Sequence, residues 1–391
     1  MAQGSMSSSR ALQISMAATV ICMLPVHLTG AMAAELREEF DFSAAGLGAA
    51  AAAFRLSAAL TSSYLGRLTD RFGSTAALRL GMGISAVSAM GIGLLATNWA
   101  ALVVWLFLAG NGQALCQPAA NRMLVKRIPP RRRGIAFGFK QAAPPTASML
   151  AGISVPLIAV SLGWRWTYGL VPALAILVLA SLGRRESSDA SSSTERSAEM
   201  GPPPARSTIV VLLLSFALGN ASSTAVAAFY VDAAVQAGTS NELAGMMLAV
   251  ASLVAIGVRL TLGLVADRMV SGHLRVCALL LLCGVVGLAL LAVGSPGTMS
   301  VGVAIALGGN WGFNGVFWYA LMRAFPHSPG TITGRVAPGG MIGGILGPVA
   351  FGLLSDVATY GVAWAAAAAV SVLAAAAMLN ASGRLAQIAD S

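Results

Sequence analysis

Arg55, Lys140 and Arg259 each interrupt a long apolar run, and no acidic residue stands inside the same runs. A charge in such a place is costly, so it faces a cavity or a partner rather than hydrocarbon. Bases without an acid select anions. An arginine fork grips a carboxylate at two points, and a lysine ammonium is a compact donor. Arg55 precedes Gly66 by eleven residues, roughly 16 Å at about 1.5 Å per residue, which places it near the centre of a bilayer. Lys140 is roughly 9 Å and Arg259 roughly 6 Å inside their runs by the same rise. The plainer alternatives are an Arg55 satisfied by backbone carbonyls, and a Lys140 and Arg259 that snorkel to the surface. Pro144 and Pro145 follow Lys140 and break the helical ladder there, so a bend should free carbonyls toward a cavity.

Polar amides accompany these bases. Asn111, Gln113 and Gln117 share one run, with Gln113 and Gln117 a turn apart. Another run carries Asn310, Trp311, Asn314, Phe317, Trp318 and Tyr319. Gln113 and Asn314 are the expected pocket-lining amides, although amides also join helices to one another. His27 reads as a satisfied core histidine. The three histidines, His27, His273 and His327, show no metal-ligand spacing. No Walker loop or catalytic constellation is present, so neither an enzyme nor a cofactor is expected.

The elements that hold these residues follow from composition. Of 391 residues 57% are hydrophobic and 10% charged, far below the roughly 25% charge of a soluble domain. Apolar runs long enough to cross a bilayer fall at about 11–33, 45–65, 75–95, 99–122, 134–160 and 165–183, then at 207–231, 243–263, 273–294, 298–323, 335–356 and 361–381. The expected fold is therefore all-α and membrane-embedded, with twelve transmembrane helices in two pseudo-symmetric six-helix bundles. The first bundle covers 1–183 and the second 207–391. Between them, 184–206 is rich in Ser, Pro and charge and reads as a linker. The first run is longer than a signal-peptide core and is expected to be retained. Cys22, Cys116, Cys277 and Cys283 lie in apolar runs and read as small core residues.

The net charge of +10 reflects orientation rather than nucleic-acid binding. Arg67, Arg71, Arg79, Lys126, Arg127, Arg131, Arg132, Arg133, Arg184, Arg185, Arg268 and Arg275 fall in alternate loops. The intervening loops hold Glu35, Glu38, Glu39, Asp41, Asp232 and Glu242, with Arg37 and Arg165. The positive-inside rule then puts both termini and the linker in the cytoplasm of a bacterial inner membrane.

Gly66-Arg-Leu-Thr-Asp70-Arg71-Phe-Gly73 after the second run is echoed by Gly263-Leu-Val-Ala-Asp267-Arg268 after the eighth, half a chain later. Such duplication indicates pseudo-twofold halves. The loop closely resembles the signature loop of the major facilitator superfamily, and helix count, linker and repeat extend that resemblance over the whole chain. It implies a secondary carrier of alternating access, with Gly66, Asp70, Arg71, Gly73, Gly263, Asp267 and Arg268 as a gating latch and Gly66 allowing close helix approach. The second copy departs from the first, since Gly272 comes later than Gly73 does. R-x-x-x-G-x-x-x-D-R around Arg259 resembles monocarboxylate and oxalate porters, in which an arginine at this position engages a carboxylate. An acid common one turn earlier in those porters is Ala255 here, which puts their route of proton coupling in doubt. G-x-K-Q-x-x-x-P at Lys140 resembles relatives of cyanate and nitrate carriers. The expected function is transport of a small organic anion such as a carboxylate, as symporter or antiporter, by a chain that works as a monomer in the lipid bilayer. A multidrug exporter is the rival reading, and its expected deep acid is missing. The spacing of Gly339, Gly340, Gly343, Gly344, Gly347 and Pro348 predicts close helix packing.

Overall fold

A computed structural model describes residues 7–129, 133–182, 206–269, 271–325 and 329–390. The linker, His327, Arg131 and Arg132 lie outside the described residues. The helices are α1 (Ser8–Ala31), α2 (Ala33–Phe40), α3 (Ala44–Phe72), α4 (Ser74–Leu95), α5 (Trp99–Arg127), α6 (Arg133–Lys140), α7 (Ala143–Ser154), α8 (Val160–Leu162), α9 (Trp164–Thr167), α10 (Leu170–Ser181), α11 (Arg206–Gln236), α12 (Asn241–Arg268), α13 (His273–Val293), α14 (Pro296–Ala324), α15 (Pro329–Val357) and α16 (Tyr360–Asp390).

Among the described residues, eleven stretches are long and apolar enough to cross a membrane. To these we add α14, whose 29 residues match its neighbours in length. Asn310, Trp311 and Asn314 lower its hydropathy, and it packs against α12 and α13 as one more crossing helix. The crossing helices therefore number twelve among the described residues, as the apolar runs predicted. The fifth span is α6, α7, a π-turn over Val155–Ala159 and α8; the sixth is α9 and α10. The short α2 was not expected, because its eight residues carry Glu35, Glu38 and Glu39 and read as loop.

Helix starts are set by side-chain caps: Ser43 Oγ accepts from Gly46 N, Asn98 Oδ1 from Ala101 N, and Ser240 Oγ from Leu243 N. The repeated loops both turn through a glycine of positive φ, Gly73 at +84° and Gly272 at +84°, a region open to glycine without a Cβ penalty. So the second loop keeps the turn although its glycine is displaced.

Polarity is inverted relative to a soluble protein. Large apolar side chains such as Leu94, Val104, Leu157, Leu177, Leu279 and Leu373 point outward, where lipid is their solvent. Helices in lipid gain nothing from leaving water a second time, so they associate by close packing of small residues. A β-carbon on Gly339, Gly343 or Gly347 of α15 would run into the carbonyl oxygens of Leu213, Ala217 or Ala221 of α11. Residues four apart on one helix meet residues four apart on the other in the same order, so α11 and α15 run parallel. The predicted packing role of these glycines is realised.

The two sets of six spans meet along α3 with α15, α7 with α12, and α1 with α11. In span order these pairs are second with eleventh, fifth with eighth, and first with seventh, which a twofold axis would exchange. At the end of the bundle that carries α2 the seam is tight: β-carbons on Gly48 and Gly352 would collide with the backbones of Pro348 and Ala44. Asp356, at the end of α15, accepts from Ala44 N (2.8 Å) and Ala45 N (2.7 Å) and so caps the first turn of α3. Loss of such a cap costs about 1 kcal/mol. Asp356→Ala should therefore raise the population with this end open about fivefold, read as the longer component of a label-to-label distance distribution across the seam.

At the opposite end Gly66 and Gly263 meet nothing within 4 Å of a β-carbon. The close approach expected at Gly66 is thus not made; the chain there faces open space because the halves are joined at the other end.

Candidate functional site

Arg55 projects from α3 toward α15, where a β-carbon on Gly344 would lie 2.8 Å from its Cδ. Among the described residues its guanidinium forms no hydrogen bond or ion pair, so the carbonyl-satisfied alternative is not what the structure contains. Glycine at 344 supplies the room the arginine occupies. Arg55 is close enough to His27 of α1 for its charge to act on the ring. His27 Nδ1 bonds the Met23 carbonyl at 2.9 Å, and its ring stands edge-on to Trp311 of α14 at 6.2 Å between centroids. The expectation of a satisfied core histidine holds, with Arg55 as a neighbour.

Trp311 leads to Arg259. Arg259 Nε donates to the Trp311 carbonyl at 2.8 Å, and Arg259 NH1 donates to the Gln141 carbonyl. Gln141 lies at the interruption between α6 and α7, where Pro144 falls in the first turn of the new helix, a position where proline is tolerated. The bend frees a carbonyl as expected, and Arg259 takes it. This guanidinium is buried among backbone acceptors rather than snorkelling outward. Arg259→Met should leave the Gln141 carbonyl without a donor, since the residue four on is Pro145, and cost about 1–3 kcal/mol, seen as a lower thermal unfolding temperature of purified protein.

Lys140, the residue before Gln141, is also buried. Its Nζ donates to Gln117 Oε1 and Asn121 Oδ1 of α5, both at 2.6 Å. Snorkelling is again not observed. Asn121 was not foreseen, yet it continues the four-residue ladder of Gln113 and Gln117 along α5. Gln113 and Asn314 are part-buried on α5 and α14 and make no side-chain hydrogen bond among the described residues. Asn310 instead belongs to the packing, its Oδ1 accepting from Ser371 at 3.3 Å, and Phe317 and Trp318 pack on Phe216. Of the cysteines, Cys22, Cys116 and Cys277 are buried and Cys283 is exposed.

Arg55, His27, Trp311, Arg259, Gln141 and Lys140 thus form one line through both halves. The described acids stand elsewhere, mostly at the α2 end. There Arg37 of α2 pairs with Asp232 of α11, which also accepts from Tyr360 of α16. Glu39 pairs with Arg165 at 2.5 Å and accepts from Trp164 Nε1. A cavity of about 390 Å³ lined by Arg37, Asp356, Tyr360 and Trp364 lies at this end, apart from the line of bases.

The residues expected to form a gating latch separate from both groups. Arg71 and Arg268 are exposed at the end opposite α2, with Gly66, Gly73 and Gly263 beside open space. The side chains of Asp70 and Asp267 lie outside the described residues.

A family model described as Major Facilitator Superfamily matches residues 14–348. An uncharacterized MFS-type transporter of Mycobacterium tuberculosis is 30% identical over 116 residues, which are 30% of this chain and 20% of that protein. A hexuronate transporter of Bacillus subtilis is 22% identical over 142 residues, 36% of this chain and 33% of that protein. The matched segments therefore span a third or less of those relatives. Among solved structures, a bacterial homolog of the human lysosomal transporter Spinster, inward-facing and occupied, superposes with a TM-score of 0.71 at 17% identity, covering 99% of this chain and 98% of the other. Its inward-facing, unoccupied form gives 0.68, also at 17% identity, covering 98% and 97%.

Proposed function

Because the chain belongs to the major facilitator superfamily, and is accordingly a multi-pass membrane transporter of the secondary type, we propose that its substrate is a small organic anion, a carboxylate of the sugar-acid or monocarboxylate kind. The observation that carries this reading is Arg55: a guanidinium between the halves that no described protein group neutralises. In a cavity of low dielectric such a charge is strongly attractive to an anion, and its free donors match a carboxylate in pairs. Arg259 and Lys140 hold no acid either, so they add positive potential from farther back. Gln113 and Asn314, with unused amide groups, supply hydrogen bonds to hydroxyl or carbonyl oxygens. The Bacillus subtilis relative is named for a hexuronate, a sugar carboxylate, which agrees with this chemistry.

In this reading residues 1–183 and 207–391 rock about the site, the linker 184–206 joins them, and access alternates between the two faces. The linker and both termini lie in the cytoplasm of a bacterial inner membrane in this reading, which the basic loops support, so the sealed α2 end faces outward. Asp70 with Arg71, and Asp267 with Arg268, then form the cytoplasmic latch, between the glycines Gly66, Gly73 and Gly263. The chain works as a monomer.

The test is uptake into proteoliposomes of labelled hexuronates, monocarboxylates, nitrate and cyanate, beside a cationic dye. Saturable uptake of an organic anion is expected. Well-folded protein that moves the dye and none of the anions would make it an exporter of cationic compounds instead.

A further inference from the structure

Glu35 of α2 and Asn241 at the start of α12 meet across the seam at the α2 end. Asn241 Nδ2 donates to Glu35 Oε1 at 2.9 Å. The remaining oxygens, Glu35 Oε2 and Asn241 Oδ1, are both buried and neither has a hydrogen-bond partner. Two buried acceptors with no donor, on side chains that already share one hydrogen bond, are an expensive arrangement, at about 1–3 kcal/mol for each unpaired group. One added hydrogen satisfies both. A carboxylic acid facing a primary amide closes a ring of two hydrogen bonds, the amide N–H to the acid carbonyl and the acid O–H to the amide oxygen.

We propose that Glu35 is a proton-binding site, and that its protonated carboxyl, donating from Oε2 to Asn241 Oδ1, holds the α2 end of the transporter closed. Proton binding joins the halves, since α2 belongs to the first six spans and α12 to the last six. No bond other than O–H is made or broken.

The surroundings agree. Burial raises the Glu35 carboxyl above its ordinary range; a backbone N–H opposes this, and the charges of Glu38 and Asp232 add to it. Glu38 comes from α2 itself and Asp232 from α11, where it is engaged by Arg37 and Tyr360. Tyr168, between α9 and α10, faces the same carboxyl, but its hydroxyl is bonded to Thr29 of α1 at 2.9 Å. So the facing groups leave Glu35 without a second donor. The sign follows from linkage. A group whose pKa is raised in the closed state favours closure below that pKa, and closure is lost as pH rises through it. Asp356 acts in the opposite sense: against the cost of its partial burial, hydrogen bonds from Ala45 N and Ala44 N hold its carboxyl below the ordinary range, and its joint needs the ionised carboxylate, so the direction of the pH response identifies the residue responsible.

The experiment places spin labels at Thr97 and Gly297, exposed positions at the α2 end of each half, in a Cys283→Ser protein reconstituted in lipid. In the wild-type sequence the short, closed distance should dominate at acid pH. The long-distance population should grow up to about tenfold per pH unit once Glu35 ionises. Glu35→Gln keeps both hydrogen bonds, so it should stay closed at every pH; Asn241→Leu, which removes the partner, should stay open. A pH-independent wild type, or a Glu35→Gln protein that opens like Asn241→Leu, overturns the proposal. So does closure that follows sodium concentration at fixed pH: Thr239 Oγ1 is another buried oxygen without a partner two residues from Asn241, and a small cation would then be the occupant. An infrared carbonyl stretch of a protonated carboxyl, present at acid pH, lost as pH rises and missing in Glu35→Gln, gives a readout independent of the labels. Its absence from the wild type also overturns the proposal.

Discussion

Arg55→Ala abolishes measurable anion uptake while leaving the protein as stable as the wild type. Both halves of that result follow from one fact, that Arg55 makes no hydrogen bond or ion pair to any described residue. Hydrogen bonds to a charged group contribute about 1.5–3 kcal/mol. An anion that loses the fork loses roughly 10- to 150-fold in kcat/KM, enough to sink uptake below background. The empty space left beside Gly344 strands no protein acceptor, so thermal unfolding should be unchanged, or slightly raised by removal of a buried charge. Arg55→Lys keeps the charge and loses the planar fork, and should fall between. A structural arginine predicts the reverse pattern, a destabilised protein whose surviving fraction transports normally. Unfolding temperature and initial uptake rate, measured on one preparation, distinguish the two.

The second large effect is on assembly. Gly343 lies where α15 touches α11, and a β-carbon there would run into the Ala217 carbonyl oxygen. Both partners are backbone, so neither can swing aside as a long side chain would. Gly343→Leu must force the two helices apart along the whole line that Gly339 and Gly347 share. Overpacking of this kind costs about 2–3 kcal/mol. In lipid no hydrophobic term compensates, because packing itself holds the helices together. The yield of monodisperse protein on size exclusion should collapse. Gly383→Leu on α16, where nothing lies within 4 Å, should leave it intact, which separates crowding from loss of glycine as such.

The sequence revealed the spans because lipid-facing and packed residues are both apolar, leaving long uniform runs between charged loops. It also revealed the pseudo-twofold order, since Gly66–Gly73 and Gly263–Arg268 repeat the same turn. The short α2 was hidden for the opposite reason: a polar helix stabilised by contacts across the seam has no local signature. The bases were visible as costly residues, but their partners were not. Arg259 bonds two carbonyls, and carbonyls belong to every residue, so only the position of the interruption at Gln141 decides which is free. Lys140 has side-chain partners, and the spacing of Gln113, Gln117 and Asn121 offered them. That ladder was legible one step further than it was read. Glu35 and Asn241 read in the sequence as loop residues, where polar side chains are ordinary; their meaning comes from two oxygens that only the folded chain buries.

The cap that Asp356 places on α3 also bears on how the molecule is made. The carboxylate stands 312 residues after the amide of Ala44, so a nascent chain inserts its second crossing helix with the local Ser43 cap alone and the N–H groups of Ala44 and Ala45 still unpaired. Those two N–H groups must wait at the membrane surface, in water, until the eleventh helix has been threaded. The early chain is thereby kept loose at the end that is tightest in the finished protein, and its last third closes what its first third leaves open. A ribosome stalled before Asp356 should hold a chain whose α3 start exchanges amide hydrogens freely, and release of the remaining residues should protect them together.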